Sequence, residues 1–198
     1  MSNSKDKVVG ELEFPRHIVS ETARMSYPGR FGGKLRGGAK KAIQAYFESE
    51  YPESLQEQIV NYDDWHINRV RQLGDVIRNR NFRQNEQDTF FALSAKLVNT
   101  FMHQLMKYDR FRYLYKSLHL PLDGTVFQRL LRREYDHNEL QNLRNLVRAF
   151  TNCAYKFGPE TYVQIQGELW GVVNYFNVNV LPENCQICSR IDLNCLLW

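Results

Sequence analysis

Apolar residues recur at intervals of three and four positions along most of this chain, from residue 39 onward. That spacing places them on one face of an α-helix, and it restricts the possible folds more than any other signal in the sequence. The segment 86–108 carries two such stripes, which predicts a long helix buried on more than one side. The stripes are Phe90, Leu93, Leu97, Phe101 and Leu105, and Phe91, Ala95, Val98 and Met102. No β-rich run of useful length follows residue 20, so we predict an all-α fold, a single globular domain of five to seven helices.

Helix-breaking residues divide the pattern into elements. The predicted breaks lie at Pro52, 79–85, Pro121, 158–159 and Pro182. The predicted helices are 53–78, 86–108, 124–134, one that starts at Asn138 and a last one that starts at Pro159. The apolar core positions predicted for the last helix are Tyr162, Ile165, Leu169 and Val172. Ser54 and Glu57 have the spacing of a capping box at the start of the first of these helices, whose inward stripe includes His66. We divide the chain into a basic arm with a glycine-rich loop (1–38), a helical domain (39–182) and a cysteine-containing tail (183–198).

The size and composition describe an ordinary folded protein. The chain has 198 residues, of which 43% are hydrophobic and 24% charged, enough for a core without disulfide support. No apolar run is as long as a membrane span, and the first residues lack the core of a signal peptide, so we expect a cytoplasmic protein with no membrane partner. The four cysteines fit a reducing compartment.

The charge is arranged in blocks, although the net value is only +4. Residues 1–41 carry nine Lys or Arg against four Asp or Glu, whereas residues 42–65 carry six acids and no base. Two basic zones could face phosphates, and we predict that they bind nucleic acid. The first lies beside glycines and comprises Arg30, Lys34, Arg36, Lys40 and Lys41, and the second comprises Arg129, Arg132 and Arg133. The alternative is that both zones are simply solvated surface.

The 86–108 helix also carries a polar ridge. Lys96, Asn99 and His103 follow one another at helical spacing on an otherwise apolar element. Downstream, Asp123 follows Pro121 and precedes a predicted helix, where its carboxylate could cap the exposed N–H groups. A cap is the structural interpretation of Asp123, and a site shared with Lys96 is the functional one.

These segments resemble the catalytic half of the helix-hairpin-helix DNA glycosylase superfamily, in which a helix lysine is followed by a Pro-x-Asp turn. The resemblance implies that Lys96 forms a Schiff base with the sugar and that Asp123 assists it. Such an enzyme extrudes its target base into a pocket. For that pocket the chain offers Trp65, Phe90 and Asn99, and His66 and His103 are the candidates for proton transfer. The function implied is a DNA-directed glycosylase or lyase.

The same region resembles a group of uncharacterised bacterial and phage proteins. The shared motifs are a Trp-His pair (Trp65-His66), a Lys-x-x-Asn helix (from Lys96) and a Leu-His-x-Pro-x-Asp turn (118–123). Membership of that group would not itself name a function. Our leading hypothesis is an enzyme that acts on DNA bases or their sugars, in phage DNA modification or host defence, with DNA preferred over RNA.

The C-terminal cysteines suggest a possible metal site. Cys185, Cys188 and Cys195 are similar in arrangement to the iron–sulfur loop of some glycosylases, and Cys153 could supply a fourth ligand. Zinc or an iron–sulfur cluster is one interpretation. The other is that these cysteines pack as small apolar residues, in which case we expect no cofactor.

Two further patterns leave other functions open. Arg132 and His137 have the Arg-x4-His spacing of the HEPN ribonucleases, which implies RNA cleavage. The stretch 127–150 resembles the small helical subunit of CRISPR effector complexes, which implies a noncatalytic subunit that grips a nucleic-acid backbone. The sequence thus supports a DNA-directed enzyme, a noncatalytic binding subunit or a ribonuclease.

Overall fold

The computed structural model describes residues 38–54, 59–80, 87–132, 138–149 and 157–193. Within these residues every regular element is helical, so the predicted all-α fold is confirmed. The α-helices are α1 (Ala39–Ser54), α2 (Tyr62–Arg80), α3 (Gln87–Leu105), α4 (Gly124–Arg132), α5 (Asn138–Arg148) and α6 (Pro159–Asn179). A long 3-10 helix (Asp109–Ser117) and two short 3-10 turns (Glu183–Cys185 and Arg190–Asp192) complete the described elements.

The start of α2 differs from the prediction. The prediction placed a break at Pro52 and a capping box at Ser54, but α1 continues through Pro52 and ends at Ser54, and Glu57 lies outside the described residues. Helix α2 begins only at Tyr62, because Asn61 caps it: its side-chain oxygen accepts from the N–H of Asp64 at 3.2 Å. The Asn61 amide also donates to the Asp64 carboxylate at 2.6 Å. The start of α2 is therefore set by Asn61, and the predicted break at Pro52 and capping box at Ser54 are wrong.

Helix α3 is the central element, as the two apolar stripes predict. Every residue of both stripes is buried. Helix α2 packs along α3, and α1 packs on α2. The close approach of α2 to α3 is visible at Gly74, where an added Cβ would lie 3.6 Å from the Ser94 hydroxyl. Phe47 of α1 also reaches α3, where its ring stacks on that of Phe101 with centroids 4.4 Å apart.

The helices of the C-terminal half pack on one another. Helix α6 begins at Pro159, as predicted, and packs against α5, which in turn contacts α4. The predicted core positions of α6 are buried, namely Tyr162, Ile165, Leu169 and Val172. In the described part of the chain, no helix is both long enough and apolar enough to cross a membrane.

The residues that follow α6 return to the body of the protein. Ser189 and Asp192 form a reciprocal capping box around the turn Arg190–Asp192, and the Asp192 carboxylate also accepts from the Tyr115 hydroxyl of the 3-10 helix. Arg190 itself is 2% exposed. The described part of the predicted tail, up to residue 193, is therefore docked on the helical core.

Candidate functional site

Lys96 and Asp123 form an ion pair between α3 and the start of α4. Lys96 Nζ lies 3.1 Å from Asp123 Oδ2, and the two side chains are 45% and 31% exposed. The other carboxylate oxygen, Oδ1, accepts from the N–H groups of Thr125 and Val126 at 2.9 and 3.0 Å. Asp123 therefore caps α4, as predicted, and holds the lysine with its remaining oxygen.

The two oxygens of the Asp123 carboxylate thus have different partners, and this determines the chemistry of the pair. The helix N–H groups fix the direction of the Asp123 carboxylate, so Oδ2 is held at a defined position beside the amine. The exposed part of Lys96 can meet a molecule from solvent, and Oδ2 can accept a proton from that amine or from its reaction partner. The pair therefore offers a positioned nitrogen and a positioned proton acceptor on the same accessible surface.

Asn99 lies one helical turn beyond Lys96 and belongs to a buried polar network. Its side-chain oxygen is 2.7 Å from His66 Nε2, and its amide nitrogen donates to the Tyr162 hydroxyl at 2.9 Å. The same hydroxyl lies 2.9 Å from His119 Nδ1, and His119 Nε2 is 2.7 Å from Asp63 Oδ1. Four hydrogen bonds thus link α2, α3, α6 and the loop before α4.

The chemistry of Asp63 fixes the direction of every bond in this network. An ionised carboxylate only accepts, so His119 must donate from Nε2 and leave Nδ1 as an acceptor. The Tyr162 hydroxyl then donates to Nδ1 and accepts from Asn99, whose oxygen in turn accepts from His66 Nε2. All four bonds run in one sense, from buried His66 to Asp63, whose side chain is 59% exposed.

Burial keeps both histidines of the network neutral. Desolvation lowers the pKa of His119 to about 4, although its hydrogen bond to Asp63 opposes the shift. Desolvation, together with the proximity of His119, also lowers the pKa of His66 well below its usual value. Their rings lie 4.3 Å apart between centroids, so two charged imidazoles could not share this space. At the outer end, the hydrogen bond from His119 lowers the pKa of Asp63 and favours the carboxylate.

Two buried polar atoms at the inner end of the network have no hydrogen-bond partner among the described residues. They are His66 Nδ1 and the hydroxyl of Tyr62, whose rings are 5.7 Å apart. Burial accordingly raises the pKa of Tyr62. The His66 ring also lies parallel to that of Tyr162, at 5.6 Å and 5°.

The remaining catalytic and base-pocket candidates differ in their exposure and contacts. His103 is exposed in the last turn of α3, and Phe90 is buried in the core. Asn99 is 2% exposed and uses both ends of its amide within the protein. Trp65 is half-buried on α2, where the guanidinium of Arg69 lies 5.9 Å from its ring centroid.

The predicted phosphate-binding residues are only partly described. Lys41 is exposed on α1 and Arg129 is half-buried on α4. Lys40 and Arg132 lie in helices, but their side chains are outside the described part. Arg30, Lys34, Arg36 and Arg133 are also outside it, as is His137 of the ribonuclease pattern.

The cysteines form no described metal site. Cys185 and Cys188 are free thiols on the surface, whereas Cys153 and Cys195 lie outside the described residues. Among the residues that the structure describes, no cluster of His, Cys, Asp and Glu side chains could hold a metal ion. The prediction of zinc or an iron–sulfur cluster stays a prediction.

Sequence reasoning missed most of the buried network. His119 is part of the Leu-His-x-Pro-x-Asp motif but was not singled out, and Asp63 was counted only as an acid in a charge block. Tyr162 was predicted as a core residue of α6, without a polar role. Arg190 had no local signal, because its guanidinium lies 3.5 Å from Asp63 Oδ1, which is 127 residues away in the sequence. The one usable signal was His119 itself, a histidine in a short apolar run.

Fold and site together define an all-α protein with a partly accessible lysine–aspartate pair on a buried polar network. Comparison of the chain with known protein families, with curated proteins and with solved structures gave no match.

Proposed function

We propose that this protein acts on DNA at the C1′ carbon of a nucleotide, as a glycosylase- or lyase-like enzyme with Lys96 as nucleophile. The observation that carries the proposal is the 3.1 Å contact between Lys96 Nζ and Asp123 Oδ2. The resemblance to the glycosylase superfamily paired these two residues across 27 positions of sequence. Their contact is what a shared role in one reaction requires.

The reaction proceeds through an imine. The ammonium of Lys96 first loses a proton to solvent, and the resulting free amine attacks C1′. The C1′–N glycosidic bond breaks, and the base leaves with the bonding electrons and takes up a proton. Asp123 accepts the proton that the attacking nitrogen loses. Cleavage of the C1′–O4′ bond, with protonation of O4′, then gives the imine between Nζ and C1′. An abasic sugar reaches the same imine when its aldehyde condenses with Nζ and releases water.

Two features of the described residues favour this reaction. Lys96 is partly exposed, so a sugar can reach it from solvent. Asp123 is oriented by the helix N–H groups and needs no reorganisation to accept a proton.

Reductive trapping tests the proposal. The protein is incubated with a duplex that contains one abasic site, or one damaged base, in the presence of borohydride, which reduces the imine to a stable amine. We expect a covalent protein–DNA adduct whose modified residue, located by mass spectrometry of the digest, is Lys96. Lys96→Arg keeps the charge but removes the nucleophilic amine, so it should abolish the adduct. Lys107→Ala, which removes an exposed lysine just beyond α3, is the matched control and should retain it.

A second variant separates the two roles of Asp123. Asp123→Asn keeps an oxygen that can cap α4 but removes the negative charge. We expect a folded protein that forms the adduct more slowly. If no DNA substrate gives an adduct, or if the adduct persists in Lys96→Arg, the proposal is wrong. Salt-dependent DNA binding without an adduct would then favour the noncatalytic subunit.

A further inference from the structure

The loop that carries Asp123 has no regular secondary structure, yet it is buried along most of its length. Residues 118–123 connect the 3-10 helix to α4. Leu118, His119, Leu120 and Leu122 are each 3% exposed or less. A buried segment without helix or strand bonds needs side-chain partners for its backbone, because unpaired peptide groups are costly in a core.

Gln166 of α6 supplies two of those partners. Its side-chain oxygen accepts from the N–H of Leu120 at 3.1 Å, and its side-chain nitrogen donates to the carbonyl of Leu120 at 2.8 Å. The amide of Gln166 thus pairs with both main-chain groups of a single residue, as a neighbouring strand would. Gln166 is itself 1% exposed, so water cannot substitute for it without entering the core.

Arg190 binds the backbone of the two residues at the junction of the 3-10 helix and this loop. Its guanidinium donates to the carbonyls of Ser117 at 2.6 Å and Leu118 at 3.2 Å, and it lies 5.2 Å from the centroid of the Trp170 ring. The capping box formed by Ser189 and Asp192 fixes the turn that carries this arginine. The planar guanidinium suits this task because it presents several donors in one fixed geometry.

The path from Leu120 to Asp123 is short and stiff. Pro121 fixes its own φ and restricts the residue before it, and the side chain of Leu122 is buried. Any shift of Leu120 is therefore transmitted to Asp123, whose Oδ2 lies against Lys96. Gln166 and Arg190 thus act on Asp123 through the backbone of the loop, and not through a direct contact with Lys96.

We infer that Gln166 and Arg190 are positioning residues for Asp123: they fix the backbone of residues 117–120 so that Oδ2 stays beside the Lys96 amine. The inference rests on the proposed function for its catalytic consequence, but the positioning itself can be measured without DNA.

The test compares Gln166→Leu with Gln164→Leu. Gln164 is exposed on the same helix, so its replacement controls for helix propensity and for the change to leucine. Two measurements are made on the folded proteins: hydrogen exchange of the Leu120, Thr125 and Val126 amides, and the rate of borohydride trapping together with the DNA concentration at half-saturation.

Gln166→Leu should accelerate exchange not only at Leu120 but also at Thr125 and Val126, whose N–H groups bind Asp123, by about tenfold. Trapping at saturating DNA should slow by about tenfold or more, with half-saturation unchanged, because misplacement affects the reaction rather than binding. Gln164→Leu should match the wild type in both measurements. A merely structural role would lower overall stability but leave Thr125, Val126 and the saturated rate unaffected in the folded protein.

The outcomes are separable. If Gln166→Leu leaves the Thr125 and Val126 amides as protected as in the wild type, the inference is wrong, whatever happens to trapping. If the wild type itself gives no adduct, the proposed function fails, and amide exchange alone decides the positioning role. If Gln166→Leu does not fold, Arg190→Lys takes its place: a lysine keeps the charge but cannot reach both carbonyls in the same geometry, and the same amides should lose protection.

Discussion

Replacing Tyr162 by phenylalanine tests the energetics of the buried network most directly. The change removes one oxygen atom and leaves the ring, so it creates no sizeable cavity among its neighbours. The lost hydroxyl accepts from Asn99 and donates to His119. Asn99 and His119 are each 2% exposed, and both would keep a buried polar atom without its partner. Tyr162→Phe therefore isolates the hydrogen bonds from the packing.

The expected cost follows from those two atoms. A buried polar group that loses its partner costs about 1 to 3 kcal/mol, so two of them predict a loss of about 2 to 6 kcal/mol in the free energy of unfolding. Such a loss is a large fraction of the ~5 to 15 kcal/mol typical of a folded domain. The network would thus be among the most sensitive features of the protein, although none of its members is a large core residue except Tyr162.

Urea unfolding at pH 7.5, followed by circular dichroism and by tryptophan fluorescence, measures this cost. Tyr113→Phe is the matched control, because Tyr113 is 46% exposed and its replacement should change stability by less than about 0.5 kcal/mol. If Tyr162→Phe costs no more than this control, the hydroxyl does not join Asn99 to His119 as described. The two probes should agree on the transition if unfolding is two-state.

Three further predictions concern pH, the ion pair and the glycines. Because the pKa of His119 is lowered to about 4 and that of His66 is lowered in the same direction, the unfolded chain binds more protons below about pH 6.5. Stability should therefore fall as the pH drops from about 6.5 toward 4, and His119 alone should account for a loss of about 2 kcal/mol at pH 5. A melting temperature that does not change over this pH range would contradict the prediction. Asp123→Ala removes both the cap and the ion pair and should lower the free energy of unfolding by about 1 to 2 kcal/mol, whereas Lys96→Ala removes only a half-exposed ion pair and should lower it by less than about 1 kcal/mol. Equal losses in urea unfolding would show that the cap contributes nothing. Gly167 lies in the middle of α6, where an added Cβ meets open space, so Gly167→Ala should raise the melting temperature through a gain of about 0.5 to 1 kcal/mol. Gly38→Ala should lower the melting temperature, because Gly38 has a φ of 98°, which is strained for a residue with a side chain. The opposite order would refute the helix-propensity argument.

Local patterns predicted the helices well because the information lies within a few residues. The stripes of α3, the start of α6 at Pro159 and the cap at Asp123 each depend on neighbours three or four positions away. The start of α2 was wrong for the same kind of reason: Ser54 and Glu57 gave a plausible local signal, but Asn61 caps the helix. The cap at Asn61 is equally local, because its side chain bonds to Asp64 three residues further on, but the sequence analysis did not consider it.

The buried network could not be predicted in this way. His66 and Asn99 are 33 residues apart, and Arg190 and Asp63 are 127 apart. Which of them meet depends on how α2, α3 and α6 pack, and that packing is decided by many apolar contacts rather than by the polar residues themselves. The sequence did place His66 on the inward stripe of α2, and it singled out Lys96, Asn99 and Asp123. It gave no reason to connect them with Tyr162, Gln166 or Arg190.

The single sense of the hydrogen bonds from His66 to Asp63 has a consequence for how this protein can vary among relatives. Asn99, Tyr162 and His119 each accept one hydrogen bond of the network and donate the next. A replacement at one of these positions therefore changes whether its neighbour must donate or accept. A substitution of Asn99 by a carboxylic acid, for instance, would remove the donor that Tyr162 accepts from. Changes in this set should therefore be inherited in compatible groups, and a lineage that loses the carboxylate of Asp63 should also have changed His119.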